Sequence, residues 1–239
     1  MPHRGTTFSI FEANNQGRDF IVGDIHGHFE SLETLLGRVN FNYLTDRVFA
    51  TGDIIDRGPL SNQVIHWLDQ PWLHTVRGNH EQMAIDAYYG GGDKLRHSRN
   101  GGAWFYQCLE NIQNEIAARF QRLPIAIQLT LRNGKTIGII HAELPDWDKG
   151  LSWQQGLKRL ESDDETKRQI ALTQALYARS RINNKNTSSI NGLDFLYVGH
   201  STVSEVLRLG NVIYLDTGCS FSDGRLTLID LQTGTQYSA

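Results

Sequence analysis

Three short stretches between residues 20 and 81 carry side chains suited to holding cations: Gly23-Asp24-Ile25-His26-Gly27, Gly52-Asp53-Ile54-Ile55-Asp56-Arg57-Gly58 and Gly78-Asn79-His80-Glu81. Asp24, His26, Asp53 and Asn79 offer carboxylate, imidazole and amide oxygen with no thiolate among them. That mixture suits manganese, iron or zinc in an open catalytic site better than a closed structural zinc. For any one stretch, plain turn chemistry is the better reading, with Asp or Asn capping the next helix and Gly closing the turn. Three such stretches so close together favour a divalent-metal centre.

The elements that must position them are legible upstream of each stretch. Phe20-Ile21-Val22, Val48-Phe49-Ala50 and Leu73-His74-Thr75-Val76 are short apolar runs separated by helix-compatible residues, the βαβ rhythm of a parallel sheet. Ligands of such sheets sit beyond the carboxyl ends of the strands, so all three loops are aimed at one edge. Their glycines allow tight positive-φ backbone beside an ion or phosphate. Leu32, Leu35, Leu36 and Val39 mark the first helix, and Val64, Ile65, Trp67 and Leu68 a second that opens after Pro59. A third covers residues 82–89 and stops at Gly90-Gly91-Gly92, which reads as a mobile loop. Beyond Asn100-Gly101-Gly102-Ala103-Trp104, with Trp104 read as core packing, a helix carries Phe105, Leu109, Ile112, Ile116 and Phe120.

Residues 125–131 and 135–140 are β-rich runs around Asn133-Gly134, the strongest hairpin signal in the chain. The second arm ends at His141, and the strand-like run 194–198 ends at Gly199-His200. Residues 203–209, 212–215 and 226–231 are further strand candidates, and 146–192 are polar and helix-compatible. The expected architecture is therefore α/β (α+β): two central sheets forming a sandwich, helices outside, and the site at strand ends. Asp216, at one such end, is either a partner of a ligand or a turn residue.

A chain of 239 residues with 39% apolar residues and no linker-like tract is expected to form one domain, 1–239. The net charge of −3, with basic and acidic residues interspersed, gives no footprint for nucleic acid or an anionic membrane. No stretch approaches a membrane helix and the N-terminus lacks the apolar core of a signal peptide, so a soluble, cytoplasmic protein is expected. Cys108 and Cys219 are far apart and read as ordinary thiols, with Cys219 near the site.

The motifs GDIHG, GDIIDRG and RGNHE resemble the signature of the metal-dependent phosphoprotein phosphatases. NGGAWF, HAELP, YARSRI and GHST resemble the small bacterial and lambda-phage members, so the likeness spans most of the chain. The resemblance implies a two-sheet metallophosphoesterase sandwich with two divalent ions, manganese first and iron or zinc as alternatives. Asp24, His26 and Asp53 would hold one ion; Asp53, Asn79, His141 and His200 the other, with Asp53 bridging. His141 joins the set by this likeness alone, since a lone histidine at a strand end is usually structural. Arg57, Arg77 and Arg179 would bind phosphate, with Arg181 the weaker candidate, and His80 held by Asp56 would be the general acid.

The implied reaction is one-step hydrolysis of phosphoserine and phosphothreonine on a phosphoprotein or phosphopeptide by a metal-bridging hydroxide, with some action on phosphotyrosine. A dinucleoside-polyphosphate hydrolase is the runner-up; those enzymes resemble GDxxARG and GNHD, whereas Asp56 and Glu81 stand here. A silent metal-binding module is a third reading, opposed by the presence of every ligand and the acid. Two departures remove no ligand: His28 where Cys is frequent, and Ser201-Thr202 where Thr-Pro is usual.

Overall fold

The computed structural model describes residues 7–239, and its architecture is set by short central strands buried on both faces. One sheet has the order β11 (Gln236–Ser238), β10 (Thr227–Asp230), β2 (Asp19–Val22), β3 (Arg47–Ala50), β4 (Leu73–Thr75). β2, β3 and β4 are parallel, with Ile21 opposite Phe49 and Ala50 opposite Thr75, so the chain leaves all three at the same edge. The other sheet runs β1 (Phe8–Phe11), β5 (Ala126–Thr130), β6 (Thr136–Ile140), β7 (Phe195–Val198), β9 (Val212–Tyr214), β8 (Leu207–Leu209). β5 and β6 form the expected antiparallel hairpin, and β6, β7 and β9 are mutually parallel. Their carboxyl ends deliver His141, His200 and Asp216 to one edge.

Alternate side chains build separate apolar layers. Ile21, Phe49, Ile127, Leu129, Ile139 and Ile213 fill the space between the sheets. Phe20, Val22 and Val48 face the other way, onto α1 (Phe29–Arg38), α2 (Val64–Leu68), α3 (Asn79–Tyr89) and α5 (Glu110–Arg122). Ala126, Ile140, Leu196 and Val212 pack against α6 (Trp153–Leu160) and α7 (Glu165–Tyr177). The expected two-sheet sandwich flanked by helices is the observed fold.

Boundaries differ where local pattern was weak. β1 and β11 were not anticipated, because each is an edge strand of three or four residues with limited burial. The helix expected across 105–120 is a 3₁₀ segment, Gly102–Gln107, followed by α5. α4 (Lys94–Arg99), in the region after the glycine cluster, was not anticipated, and Gly90 ends α3 at φ 89°. α8 (Ser180–Asn183) is a single turn. Among the described residues no helix is long and apolar enough to cross a membrane, and part of the N-terminal leader reading falls on residues 1–6, outside them.

Candidate metal centre and phosphate cleft

Three of the six expected ligands, His26, Asp53 and His200, follow strands in left-handed backbone, as do Asp56 and Arg57 in the same loop as Asp53. His26, Asp53, Asp56, Arg57 and His200 have φ of 45°, 47°, 70°, 66° and 62°. Among the described residues only Asn40, Asp146 and Lys185 join them outside glycine. Left-handed backbone is costly for residues with a Cβ, and its concentration here marks a site where structure is held against local preference. At Gly199 an added Cβ would fall on the Asp24 carboxylate, so only glycine lets β7 pass this close.

The imidazoles are fixed by main-chain carbonyls. His26 Nδ1 donates to Ile55 O at 2.8 Å, His141 Nδ1 to Thr51 O at 2.8 Å, and His200 Nε2 to Tyr177 O at 3.1 Å. A carbonyl can only accept, so in the neutral rings of His26 and His200 the opposite nitrogen presents its lone pair, and in His141 it would do so once its second proton is displaced by a metal, the arrangement metal-ligating histidines adopt. Asp53 belongs to two groups of converging ligand atoms, one with His26 and His80, the other with His141 and His200. His141 Nε2 lies 3.4 Å from Asp53 Oδ2 and 2.9 Å from Asn79 Oδ1. Asp24 accepts from Thr51 Oγ1 and from His200 N, both at 2.9 Å, which holds its carboxylate at the rim of this cluster.

The electrostatics favour cations. Burial, with Asp216 and Asp53 nearby, raises Asp24 well above the carboxylate range. Burial also works against ionised Asp53, but His141, His80 and His26 outweigh it and keep that carboxyl well below the range. Burial lowers His26 and His200 to about 3, leaving both neutral. In His141 burial is outweighed by Asp53 and Asp24, which raise it to about 10. A proton therefore stabilises the cluster of His141, Asp53 and Asn79 where a divalent ion would replace it. Acceptors that outnumber donors in a buried space fit two divalent cations.

Beside this cluster His80 Nδ1 donates to Asp56 Oδ2 at 2.7 Å. The same oxygen accepts from His97 Nε2 at 3.0 Å, and Asp56 Oδ1 accepts from Trp104 Nε1 at 2.7 Å. Burial would raise Asp56, but His80 and His97 hold it below its ordinary range. Burial would lower His80, yet Asp53 and Asp56 raise it. The pairing of His80 and Asp56 is thus present in three dimensions, with two further anchors.

A cleft of about 210 Å³ opens on these groups, lined by Asp24, His26, Asp53, Asn79, His80 and His200 together with Arg57, Arg179, Arg96, Asn100, Tyr177, Thr202, Asp216 and Phe221. Arg57 Nη1 donates to His26 Nε2 at 3.1 Å, and Arg179 Nη2 to His200 O at 2.9 Å, so both guanidinium groups border the ligands. Arg77 does not. It donates to Phe120 O, Gln121 O and Leu123 O, capping the carbonyl end of α5, and so is not placed to bind phosphate. Arg181 is buried against the Trp147 ring and donates to Ser188 O, so it is not placed to bind phosphate in the cleft.

Residues 20–204 match the calcineurin-like phosphoesterase family. The chain is a calcineurin-like phosphoesterase. It is 32% identical to serine/threonine-protein phosphatase 2 of Escherichia coli (strain K12), over 95% of this chain and 99% of that protein. It is 35% identical to serine/threonine-protein phosphatase 1 of Salmonella typhimurium, covering 94% and 97%. A protein of Erwinia tasmaniensis named bis(5′-nucleosyl)-tetraphosphatase, symmetrical, is 37% identical over 54% of this chain and 46% of its own length. In fold, a crystal structure of a candidate diadenosine tetraphosphatase superposes with a TM-score of 0.66 at 23% identity, covering 96% of both chains. The family's metal-dependent phosphate-ester hydrolysis makes this protein a phosphatase, and the buried His and Asp groups fit its dinuclear site.

Several residues that shape this phosphoesterase site escaped the sequence reading. Trp104, read as core, spends its indole N–H on Asp56. His97 is wholly buried on a six-residue helix too short for a periodic signal, and a Cβ at Gly102 would strike its ring, which accounts for the second glycine of Asn100-Gly101-Gly102. Asp216 lines the cleft, but its hydrogen bonds, accepted from Thr202 Oγ1 at 2.7 Å and from Gly218 N at 3.0 Å, are those of a turn residue and reach none of the expected ligands. Cys219 lies close, its thiol donating to Asp24 O at 3.0 Å and pushed up by burial. His28 stands at the start of α1 and does not line the cleft.

Proposed function

We propose that this phosphoesterase is a single-domain, cytoplasmic protein phosphatase that hydrolyses phosphoserine and phosphothreonine, with lesser action on phosphotyrosine. Two divalent ions, manganese in the first instance, would be held by Asp24, His26 and Asp53 on one side and by Asp53, Asn79, His141 and His200 on the other. When bound, they supply an activated water and neutralise phosphoryl charge. The chain's own part is to place and protonate. Arg57 and Arg179 hold the phosphoryl oxygens by charge-assisted hydrogen bonds. Asp56, accepting from His80 Nδ1, favours the imidazolium form of His80, and it is that form whose Nε2 proton would be delivered to the departing oxygen.

The observation that carries this reading is the 2.7 Å contact between His80 and Asp56 at the cleft. A serine or threonine alkoxide is strongly basic and leaves slowly unless protonated, so a supported acid serves a phosphomonoester of an alcohol. The two relatives matched along nearly their whole length are named for that substrate class. A dinucleoside tetraphosphate, by contrast, expels a phosphate-type leaving group that needs little protonation. That second reading is favoured by the tetraphosphatase-named relative, whose match is confined to about half of either chain. Retention of the acid pair opposes a silent binding module.

The test loads metal-depleted protein with manganese and compares a phosphoserine peptide with a dinucleoside tetraphosphate. The proposal expects metal-dependent turnover with kcat/KM higher for the peptide. A preference for the tetraphosphate would replace it with the second reading, and equal activity of metal-free protein would remove the metal requirement.

A further inference from the structure

α4 is fastened to the catalytic apparatus by one residue and reaches the substrate space with the one before it. His97 donates from Nε2 to Asp56 at 3.0 Å, while its Nδ1 meets Tyr106 Oη at 3.0 Å, so the helix cannot shift without disturbing Asp56. Arg96 lines the cleft beside Asn100, Tyr177 and Arg179. Its guanidinium carbon lies 5.6 Å from the centroid of the Tyr177 ring, and among the described residues it forms no ion pair. Lys94 and Arg99 on the same helix are exposed, and the one carboxylate at its start, the N-cap Asp93, is engaged by Arg96 N at 2.9 Å, so α4 with its cap is still net positive although the chain is net negative.

Arg57 and Arg179 already border the ligand cluster where the phosphoryl group belongs. A third guanidinium, at the mouth and without a carboxylate of its own, has nothing to do for a bare phosphomonoester. Resting on an aromatic face, it is partly ordered before substrate arrives, which lowers the entropy cost of a bidentate contact with a second anionic group.

We infer that Arg96 selects phosphopeptides with an acidic residue next to the phosphorylated one, binding that carboxylate against Tyr177. The inference rests on the protein-phosphatase reading and names a substrate class within it. The selection acts on binding, so it lies in KM more than in kcat.

The test measures kcat and KM on phosphoserine peptides flanked by Glu, Ala or Lys, for the metal-loaded wild type, Arg96→Gln, Arg96→Lys and Arg96→Glu. The wild type should favour the Glu-flanked over the Ala-flanked peptide by about twofold to fivefold, chiefly through KM, as for an exposed ion pair. Arg96→Gln should bring that ratio near one, Arg96→Lys should retain part of it, and Arg96→Glu should invert it toward the Lys-flanked peptide. Raising the salt concentration should shrink the wild-type ratio. A wild-type enzyme indifferent to the flanks, or Arg96→Gln with its preference intact, overturns the inference while leaving the protein-phosphatase reading standing. Failure of every peptide alongside turnover of a dinucleoside tetraphosphate overturns both.

Discussion

Glu81 Oε2 accepts the backbone N–H of Asp53 at 2.9 Å, so a carboxylate on the first turn of α3 fixes the main chain of the central metal ligand. Its Oε1 takes the N–H of Ile54 at 2.9 Å, and Oε2 also takes that of Gly78 at 2.7 Å. One wholly buried side chain thereby ties the loop after β3 to the loop after β4 and supports the left-handed conformation of Asp53. Burial first, then Asp53, raises Glu81 to about 7.

Replacing Glu81 by Gln exchanges one accepting oxygen for an amide that faces N–H donors. The variant should lose stability on the order of 1–3 kcal/mol, as for buried donors left unpaired. It should also bind less metal. Thermal unfolding and elemental analysis check both; Glu81→Gln with full metal content and wild-type stability would show that Asp53 holds its conformation unaided.

Asp53 is common to both groups of converging ligand atoms. Asp53→Asn should therefore abolish turnover and lower the content of both metals, whereas Asp24→Asn should chiefly weaken one site. Metal content per chain distinguishes the two variants, and full occupancy in Asp53→Asn would contradict a shared ligand.

The arginines separate by where their guanidinium groups end. Arg179→Ala should lose on the order of 1.5–3 kcal/mol of transition-state stabilisation in kcat/KM with little change in unfolding temperature. Arg77→Ala frees three carbonyls near the end of α5 and should do the reverse, costing about 1–3 kcal/mol of stability. Steady-state kinetics and calorimetry on the pair decide the matter; a larger kcat/KM loss in Arg77→Ala would return that residue to the cleft.

The parallel run β2–β3–β4 and the β5–β6 hairpin were legible because burial on both faces leaves continuous apolar runs and an Asn-Gly turn leaves a local mark. The placement of Asp24, His26, Asp53 and Asn79 at one edge followed from strand order. Two things were not legible. Edge strands such as β1 bury too little to stand out, and a residue's partner depends on rotamers and chain crossings that linear spacing does not encode. Arg77 and Arg179 look alike in sequence, yet one turns to α5 and the other to His200. His97, forty-one positions from Asp56, meets it only because α4 folds back over the loop after β3.

The most direct measurement is the leaving-group dependence of His80→Asn. Proton donation by a placed side chain is worth about 10²–10⁴-fold, but only where the leaving oxygen needs the proton. With both metals retained, His80→Asn should lose most of its kcat/KM on a phosphoserine peptide and appreciably less on nitrophenyl phosphate, whose phenolate leaves unaided; Asp56→Asn should follow the same pattern more mildly. Equal losses on the two substrates at unchanged metal content would contradict the assignment and make His80 a residue that positions the phosphate.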